Sequence, residues 1–474
     1  MPKRIGINAK IIVAFQDNEH RVLRDGCVVI DGSEIKHVGK DYNGTVDAVV
    51  DAGDRVVTPG FINTHCHMAG SPLDKSFIED VGSRQFYLSG LPTMLRARAG
   101  AMTDADRKAC VDYSVAELIR TGTTTVMELG GMGDYVADAV EQAGLRAYIG
   151  NMYASASWVS DGKQVGYEWD EAKGLEGFRN AVDLIGRIDG RANGRIRGFI
   201  SPAQLDNCTE ELLHISSQAS EEMQVPLALH TSQAVFEFQE IVRRHGLTPV
   251  EWLESIDFLS DRCILGHVMY PAGHSWVNFA GDDLAILAKH KASVAHAAWV
   301  FARRGVAMES FPAYLGAGVN VCLATDTSPQ SMIEAMRWST VVGKIMIRQT
   351  ELSTAADAFN AATLNAAKML HRDDSGRIST GAMADLLFWD ASSMFIVPLR
   401  DPIKNIVFNA TSQDLRDVMV DGAWVMREGQ VLNVDERAVS EALQQAGERV
   451  WSSVNPEVAE SADEVSPQTF PDFE

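Results

Sequence analysis

Two histidines, His65 and His67, stand one residue apart in the segment TPGFINTHCHMAG, which begins at Thr58. In an extended strand alternate side chains point to the same side, so these two imidazoles face together while Cys66 faces away. Two neutral imidazoles side by side suit a divalent metal such as Zn²⁺, Fe²⁺ or Mn²⁺. Two polar residues at the end of a strand would look the same, so a metal site needs further ligands from the rest of the chain.

Such residues follow other apolar runs. They are His230 in PLALHTS, His267 in CILGHVM, His296 in ASVAHAA and Asp326 in NVCLATD. One stray histidine is more often a hydrogen-bonded polar residue than a ligand, but several apolar runs ending in the same way point to a shared site. His296 is expected to line the substrate pocket as a hydrogen-bonding group.

Three imidazoles, those of His65, His67 and His230, would hold one divalent ion together with the carboxylate of Asp326 and leave a place for water. The ion would lower the pKa of that water from 15.7 toward about 7. His267 and Asp326 would then hold the water by hydrogen bonds and take its proton. The site is therefore predicted to generate hydroxide at neutral pH.

Eight apolar, strand-like runs alternate with helical patterns in the middle of the chain. The runs are FINTHCH, TTTVMEL, RAYIGNMY, IRGFISP, PLALHTS, CILGHVM, ASVAHAA and NVCLATD. Between two of them Val111, Val115 and Leu118 recur at helical spacing. The alternation predicts a (β/α)8 TIM barrel over residues 58–375, whose chemistry gathers at the carboxyl ends of the strands. An open doubly wound sheet is the alternative, although no GxGxxG opens a helix after the first strand.

Both ends of the chain show short β-branched runs cut by glycine and aspartate. They predict a small β-sandwich domain built from residues 1–57 and 376–435. Residues 451–474 carry six acidic residues and no lysine or arginine, which predicts a poorly ordered acidic tail. The alternative is that its aromatic end packs on a neighbouring subunit.

The formal net charge of the 474 residues is -22, which disfavours nucleic acid and anionic membranes as partners and leaves a small molecule as the expected one. Six scattered cysteines without a CxxC pair indicate a reducing compartment, the cytoplasm. The N-terminus has no signal-peptide pattern, and no stretch approaches the ~18 apolar residues of a membrane span.

The segments PGFINTHCH, TGTTTV, LALHTS, LGHVMY, LATDTS and GAMADLLFWD resemble, in order and spacing, the motif series of the amidohydrolase superfamily. The resemblance covers nearly the whole chain. It implies a (β/α)8 barrel with a split β-domain, metal-dependent hydrolysis, and a homodimer or larger homo-oligomer. By that resemblance His267 contacts the metal or its water, and the metal ligands are His65, His67, His230 and Asp326.

Two departures from the resembling proteins narrow the expected site. Members with two metals carry a carboxylated lysine at the end of strand four, whereas this chain reads IRGFISPAQLD there, with no lysine. One ion is therefore expected, with zinc as the first expectation and iron or manganese as alternatives. In the cytosine deaminase and triazine hydrolase branch, which the chain resembles most, ring deaminases carry His-x-x-Glu, whereas this chain has His230-Thr-Ser-Gln233. A glutamine amide hydrogen-bonds but cannot relay a proton. Glu79, Asp80 or Glu128 could instead reach in as a substitute acid, with a purely structural role as the alternative for these three residues.

Aromatic residues on loops after the strands predict an apolar substrate that bears an aryl or alkyl group, with core packing as the alternative for each residue. The expected pocket residues are Phe86, Tyr87, Glu128, Trp158, Gln204, Tyr270 and Trp299. The combination resembles bacterial hydrolases of phenylurea and thiocarbamate herbicides, such as molinate hydrolase, which implies a role in xenobiotic degradation.

The predicted reaction is the attack of hydroxide on the carbonyl carbon of an amide, urea or carbamate. Gln233 orients the carbonyl, and Asp326 delivers the proton to the leaving nitrogen or sulfur. One alternative keeps the fold but acts as an aminohydrolase or dechlorinase on a triazine, pyrimidine or purine ring. Another is a metal-free scaffold that binds partners, which would hold no stoichiometric ion.

Overall fold

The computed structural model describes residues 3–75, 91–160 and 165–453. The strands of this part are β1 Arg4–Gln16, β2 Glu19–Asp31, β3 Glu34–Gly39, β4 Ala48–Pro59, β5 Phe61–Cys66, β6 Thr123–Gly130, β7 Arg146–Asn151, β8 Ala156–Ser160, β9 Val165–Trp169, β10 Ile196–Gly198, β11 Leu227–Thr231, β12 Cys263–His267, β13 Ser293–His296, β14 Asn320–Leu323, β15 Leu386–Asp390, β16 Leu415–Val420, β17 Ala423–Arg427 and β18 Gln430–Val431.

The helices of the same part are α1 Leu91–Ala101, α2 Asp104–Arg120, α3 Gly133–Ala143, α4 Glu171–Ile188, α5 Arg191–Gly194, α6 Glu210–Met223, α7 Val235–His245, α8 Pro249–Ser255, α9 Asp283–His290, α10 Ala298–Ala302, α11 Phe311–Gly316, α12 Met332–Ile347, α13 Ala355–Ala361, α14 Leu364–Met369, α15 Pro402–Phe408 and α16 Glu436–Ser453. Two 3₁₀ helices span Ser71–Asp74 and Leu205–Asn207.

Eight parallel strands form the barrel. They hydrogen-bond in two runs of four, β5-β6-β7-β10 and β11-β12-β13-β14. Bridges from Ile200 to Leu227 and from Cys66 to Asp326 join the two runs and close the ring. These strands lie in the eight apolar runs of the sequence, and the predicted (β/α)8 fold is confirmed.

Continuous burial explains why these strands read as apolar runs. Every residue of β5, β11 and β12 is buried, because each strand is covered by the barrel interior on one face and by helices on the other. The helix α2 begins at a capping box made by Thr103 and Asp106 and buries Val111, Val115 and Leu118.

The two chain ends form one eight-stranded sheet with the order β18-β17-β16-β15-β4-β1-β2-β3. Strand β4 pairs with β1 in parallel and with β15 in antiparallel orientation. The sheet has its own apolar core, in which Ile30 and Ile35 from one end of the chain are clustered with Phe388 and Met419 from the other. The expected β-sandwich is thus a small β-domain made of a single continuous sheet.

A buried ion cluster joins the barrel to this sheet. The Arg146 guanidinium at the start of β7 lies 3.2 Å from Asp385 Oδ2 and 3.1 Å from Asp421 Oδ1. The Asp421 N–H also donates to Asp385 Oδ1 over 2.7 Å. Side-chain exposure is only 3% for Arg146 and 5% for Asp385, so solvent hardly screens the pair.

The C-terminal helix α16 packs against α2, where Arg449 forms an ion pair with buried Asp106. The helix continues through Ser453, so the first three residues of the predicted tail are helical, and the remaining residues 454–474 lie outside the described part. Among the described helices, none is both long enough and apolar enough to cross a membrane.

Candidate metal centre and substrate cavity

Three imidazoles and one carboxylate meet at the carboxyl ends of the barrel strands. The Nε2 atoms of His65 and His67 are 3.3 Å apart, and the Nε2 atom of His230 is 3.0 Å from the first and 3.2 Å from the second. Asp326 Oδ1 lies 3.5 Å from His65 Nε2 and 3.3 Å from His67 Nε2. In the described part of the chain, these four residues are the group whose ligand atoms could hold a metal ion.

Strand pairing fixes this arrangement. His65 belongs to β5, and His67 follows it directly. Backbone hydrogen bonds of 2.9 Å run from His67 N to Asp326 O and from Asp326 N to His65 O, so the ends of the first and last barrel strands are tied together. Gly266 of β12, a strand that does not pair with β5, allows His65 to approach, because a Cβ atom there would lie 2.9 Å from His65 Cε1.

The Nδ1 atoms of two of these histidines form hydrogen bonds that leave the Nε2 atoms available to bind a metal ion. His67 Nδ1 donates to the carbonyl of Leu129, and His230 Nδ1 donates to the carbonyl of Ala203. Burial lowers the pKa of His230 well below its usual value, so its ring stays neutral. The Nε2 lone pairs therefore converge on one point next to a carboxylate, and a divalent cation satisfies such a donor set.

His267 stands beside this cluster. Its ring centroid is 4.8 Å from that of His65, and both of its ring nitrogens are buried without a hydrogen-bond partner among the described residues. Burial lowers its pKa to about 3. The backbone turns sharply here, with φ of 80° at His267 and 41° at Val268, which is rare for a β-branched residue and costs strain of the kind found at functional sites.

His296 ends β13, one strand further around the barrel. Burial lowers its pKa to about 4. Its ring stacks on Phe311 at a centroid distance of 6.0 Å, and its Nδ1 atom has no hydrogen-bond partner among the described residues. A pocket role for His296 therefore remains a prediction.

A cavity of about 300 Å³ opens next to the cluster. One part of its wall is polar and includes His67, His230 and Asp326. Another part is apolar and includes Leu129, Met152 and Trp158. The volume is at the small end of the range for ligand sites, which suits a compact substrate with one polar and one apolar portion.

The predicted pocket residues are divided between this cavity and other places. Those that line the cavity are Glu128, Trp158 and Gln204, and the cavity is also lined by Gln233, the residue predicted to orient the carbonyl. Tyr270 packs against His274 at 4.7 Å, and Trp299 packs against Trp338 at 4.9 Å, and neither is among the lining residues. Phe86 and Tyr87, and the substitute acids Glu79 and Asp80, lie outside the described residues.

Glu128, at the end of β6, is 1% exposed and is a protonatable group in the cavity wall. Its Oε2 atom accepts a hydrogen bond from Met68 N over 2.7 Å, whereas Oε1 has no hydrogen-bond partner in the described part. Burial raises the pKa of this carboxyl to about 8.

Glu237 and Asp206 are two buried acids that support the cavity wall and that the sequence did not predict. Glu237, in the first turn of α7, accepts hydrogen bonds from Ser232 N at 2.6 Å and Gln233 N at 2.8 Å. Its Oε2 atom also accepts from Gln204 Nε2 at 3.4 Å. Burial, and next the charge of Asp206, raise the pKa of Glu237 well above its usual value. The sequence signal for this role is an acidic residue in the first turn of a helix just after Gln233, where its carboxyl can accept hydrogen bonds from backbone N–H groups.

Comparison with known proteins places the chain in a family. Residues 56–425 match the model of the Amidohydrolase family. The chain is 30% identical over 431 residues to the 5-methylthioadenosine/S-adenosylhomocysteine deaminase of Halobacterium salinarum, covering 90% of this chain and 94% of that protein. It is 27% identical over 438 residues to the 5'-deoxyadenosine deaminase of Methanothermobacter thermautotrophicus, with 90% and 94% covered.

Solved structures show the same fold. A zinc-bound adenosine deaminase from Xanthomonas campestris has a TM-score of 0.81 at 20% identity, covering 94% of this chain and 98% of that one. A zinc complex of atrazine chlorohydrolase from Arthrobacter aurescens has a TM-score of 0.78 at 20% identity, with 94% and 100% covered. With the family match over most of its length, the chain belongs to the amidohydrolase family and is a metal-dependent hydrolase of C–N bonds.

Proposed function

We propose that this protein hydrolyses the C–N bond, or the carbamate or thiocarbamate bond, at the carbonyl carbon of a small amide, urea or carbamate. One divalent ion, with zinc as the metal expected first, would be held by His65, His67, His230 and Asp326. The observation that supports this proposal is the identity of one residue that lines the cavity next to His230. That residue is Gln233, at the position where the ring deaminases that the chain resembles have a glutamate that relays protons.

The side chains around the ion divide the remaining work. When bound, the ion would supply the Lewis acidity that makes hydroxide available at neutral pH. Asp326, bonded through its backbone to the first strand, accepts a proton and passes it to the leaving nitrogen or sulfur. His267, whose two ring nitrogens have no hydrogen-bond partner among the residues that the structure describes, hydrogen-bonds to the developing oxyanion.

Gln233 would orient the substrate. Its amide N–H₂ donates to the substrate carbonyl, while its backbone is held by the Glu237 carboxylate at 2.8 Å. An amide or urea nitrogen leaves as an amine after a single protonation. No ring nitrogen has to be protonated beforehand, so this chemistry tolerates a glutamine.

The test is a hydrolysis screen with zinc-reconstituted protein. The substrates are acetanilide, N-phenyl-N',N'-dimethylurea, an S-ethyl thiocarbamate, adenosine, 5'-deoxyadenosine and melamine. We expect aniline, amine or thiol release from the first three and no ammonia from the others. Ammonia release from an amino-heterocycle, with no cleavage of any carbonyl substrate, would overturn the proposal.

A second candidate is deamination of an amino-heterocycle. The curated relatives described above are deaminases by name. Buried Glu128, whose Oε1 has no hydrogen-bond partner within residues 3–75, 91–160 and 165–453, offers a carboxyl in the cavity. The variant Gln233→Glu separates the two candidates. Under the main proposal it lowers turnover of acetanilide about tenfold or more and gains no deaminase activity. Gln218→Glu on α6 is the matched control, because it adds the same charge away from the cavity.

Three broader proposals concern the setting of the enzyme. The six cysteines are all buried and free, which supports a reducing, cytoplasmic location. A homodimer or larger homo-oligomer is proposed from the family resemblance, and light scattering of the purified protein tests it. A role in degrading xenobiotic ureas or thiocarbamates is tested by the same substrate screen.

A further inference from the structure

The two-stranded hairpin of β8 and β9 carries an aromatic residue into the cavity. Trp158 of β8 is half-buried and lines the cavity. Tyr167 of β9 is its direct cross-strand partner in the antiparallel pair. The two side chains are therefore held side by side, and both reach toward the barrel.

Asp206 fixes both of these side chains with one oxygen. This residue belongs to the 3₁₀ helix Leu205–Asn207 and is fully buried. Its Oδ2 atom accepts a hydrogen bond from Trp158 Nε1 at 2.9 Å and another from Tyr167 OH at 2.7 Å. Hydrogen bonds to a buried carboxyl are among the stronger ones, so the rotamer of Trp158 is well determined.

Helix α7 holds the hairpin from the other side. The Arg244 guanidinium lies 4.6 Å from the ring centroid of Tyr167 and 5.0 Å from that of Trp169, and it donates to the Asp206 carbonyl over 2.6 Å. Phe236 packs edge-to-face on Trp158 at 5.4 Å. The hairpin is thus anchored to the helix that follows Gln233.

The anchoring decides which part of the indole faces the substrate. Because Asp206 takes up the only polar atom of Trp158, the part of the ring in the cavity wall is apolar. It shares the wall with Met152 and Leu129, while the metal ligands line the polar side. A substrate whose carbonyl reaches the metal ligands would place its apolar substituent in this part of the cavity.

We propose that Trp158 is the specificity-determining residue that binds a planar aryl group of the substrate, and that Asp206 is the positioning residue that fixes its indole. This inference rests on the proposed function and names its substrate class. An aromatic ring gains from stacking or edge-to-face contact with indole, and a saturated ring of the same size lacks that gain.

The test compares acetanilide with N-cyclohexylacetamide, which has a saturated ring of similar size. The measured quantity is the ratio of the two kcat/KM values. We expect Trp158→Leu to lower the ratio roughly fivefold to tenfold, mainly through KM for acetanilide. Trp158→Phe should lower it less, because the phenyl ring keeps an aromatic face but loses the bond to Asp206. An unchanged ratio in Trp158→Leu would overturn the inference.

Asp206→Ala and Tyr167→Phe test the positioning role. We expect Asp206→Ala, which removes the acceptor of Trp158 Nε1, to raise KM for acetanilide roughly fivefold and to lower the ratio accordingly, while kcat stays within about twofold. Tyr167→Phe removes the neighbouring hydrogen bond but keeps the bond of Trp158 Nε1, and the ratio should stay within about twofold. If Tyr167→Phe lowers the ratio as much as Asp206→Ala does, Asp206 only stabilises the hairpin and the positioning role is wrong.

A binding measurement separates this inference from the proposed function. Saturation-transfer NMR with acetanilide and N-cyclohexylacetamide needs no turnover. If none of the carbonyl substrates of the screen is hydrolysed, but acetanilide binds to the wild type and loses its signal in Trp158→Leu, the proposed function fails and the aryl site stands. Equal signals from both compounds in the wild type, or an unchanged acetanilide signal in a folded Trp158→Leu protein, would overturn the aryl site.

Discussion

Arg146→Met removes the buried cation that joins the barrel to the eight-stranded sheet. The guanidinium has carboxylate oxygens of Asp385 and Asp421 within 3.2 Å and is 3% exposed at the side chain. Without it, the Asp385 carboxylate loses its cation in a place that water hardly reaches, whereas Asp421 keeps Arg195 Nη1 at 3.6 Å. Loss of one partner of a buried pair costs about 3–5 kcal/mol.

The exposed pair of Arg187 and Asp134 provides a matched control. Its N–O distance is 2.8 Å, comparable with the buried contacts, but the side chains are 54% and 61% exposed. Removal of such a pair by Arg187→Met should cost far less, because solvent screens both charges. The two variants make the same chemical change, so the difference between them measures the effect of burial.

Thermal unfolding followed by circular dichroism at a fixed pH and scan rate is the assay. An unfolding entropy of about 2.1 cal/mol/K per residue gives roughly 1 kcal/mol/K for 474 residues. Arg146→Met should therefore lower Tm by about 3–5 °C, and Arg187→Met by about 1 °C or less. Adding Asp385→Asn to Arg146→Met should recover part of the loss. The reasoning is refuted if the two single variants lose the same Tm.

Three further predictions concern the metal, the pH dependence and the core. The double variant His65→Ala/Asp326→Ala should reduce bound metal from about one equivalent per chain to below about 0.1, measured by elemental analysis. Retained metal would contradict the ligand set, and the control is His371→Ala, which changes an exposed histidine. Burial raises the pKa of Asp206 from 3.8 to about 6, so its stabilising contribution is complete below about pH 4 and is lost as the pH rises through 6. Asp206→Asn should therefore show a smaller fall in Tm between pH 5 and pH 7.5 than the wild type, and an equal fall would count against a raised pKa. Phe61→Ala empties a fully buried site between Phe359 and Trp389 and should cost about 3–5 kcal/mol in urea unfolding, whereas a loss below about 1 kcal/mol would mean that the cavity refills.

The barrel and the metal-ligand cluster were predictable because both leave a local trace in the sequence. A parallel strand covered on both faces must be apolar throughout, as β11 is. A polar residue near the end of such a run, such as His230, lies at the carboxyl end of the barrel. The closed ring then brings His65 and Asp326 together although they are far apart in sequence.

The hairpin and the buried acids were missed because their causes are not local. The segments of β8 and β9 are short and partly exposed, so neither shows a clean apolar pattern. Asp206 and Glu237 are fully buried, whereas most acids are exposed, and only partners from other elements make that burial tolerable. The hydrogen bond from Trp158 to Asp206 spans 48 residues, a separation that no periodicity reports.

The mixed sheet also imposes an order on biosynthesis. Strand β4 ends at Pro59, and Leu386, which pairs with that residue, leaves the ribosome only after the whole barrel has been translated. At about 5–20 residues per second, one edge of β4 waits roughly 16–65 s for its neighbour. The unpaired edge includes apolar Val56 and Val57, so during that interval nascent chains expose a strand edge that can pair with other chains. Messenger truncations that stop before codon 386 would leave this edge permanently open and divert the product toward aggregates.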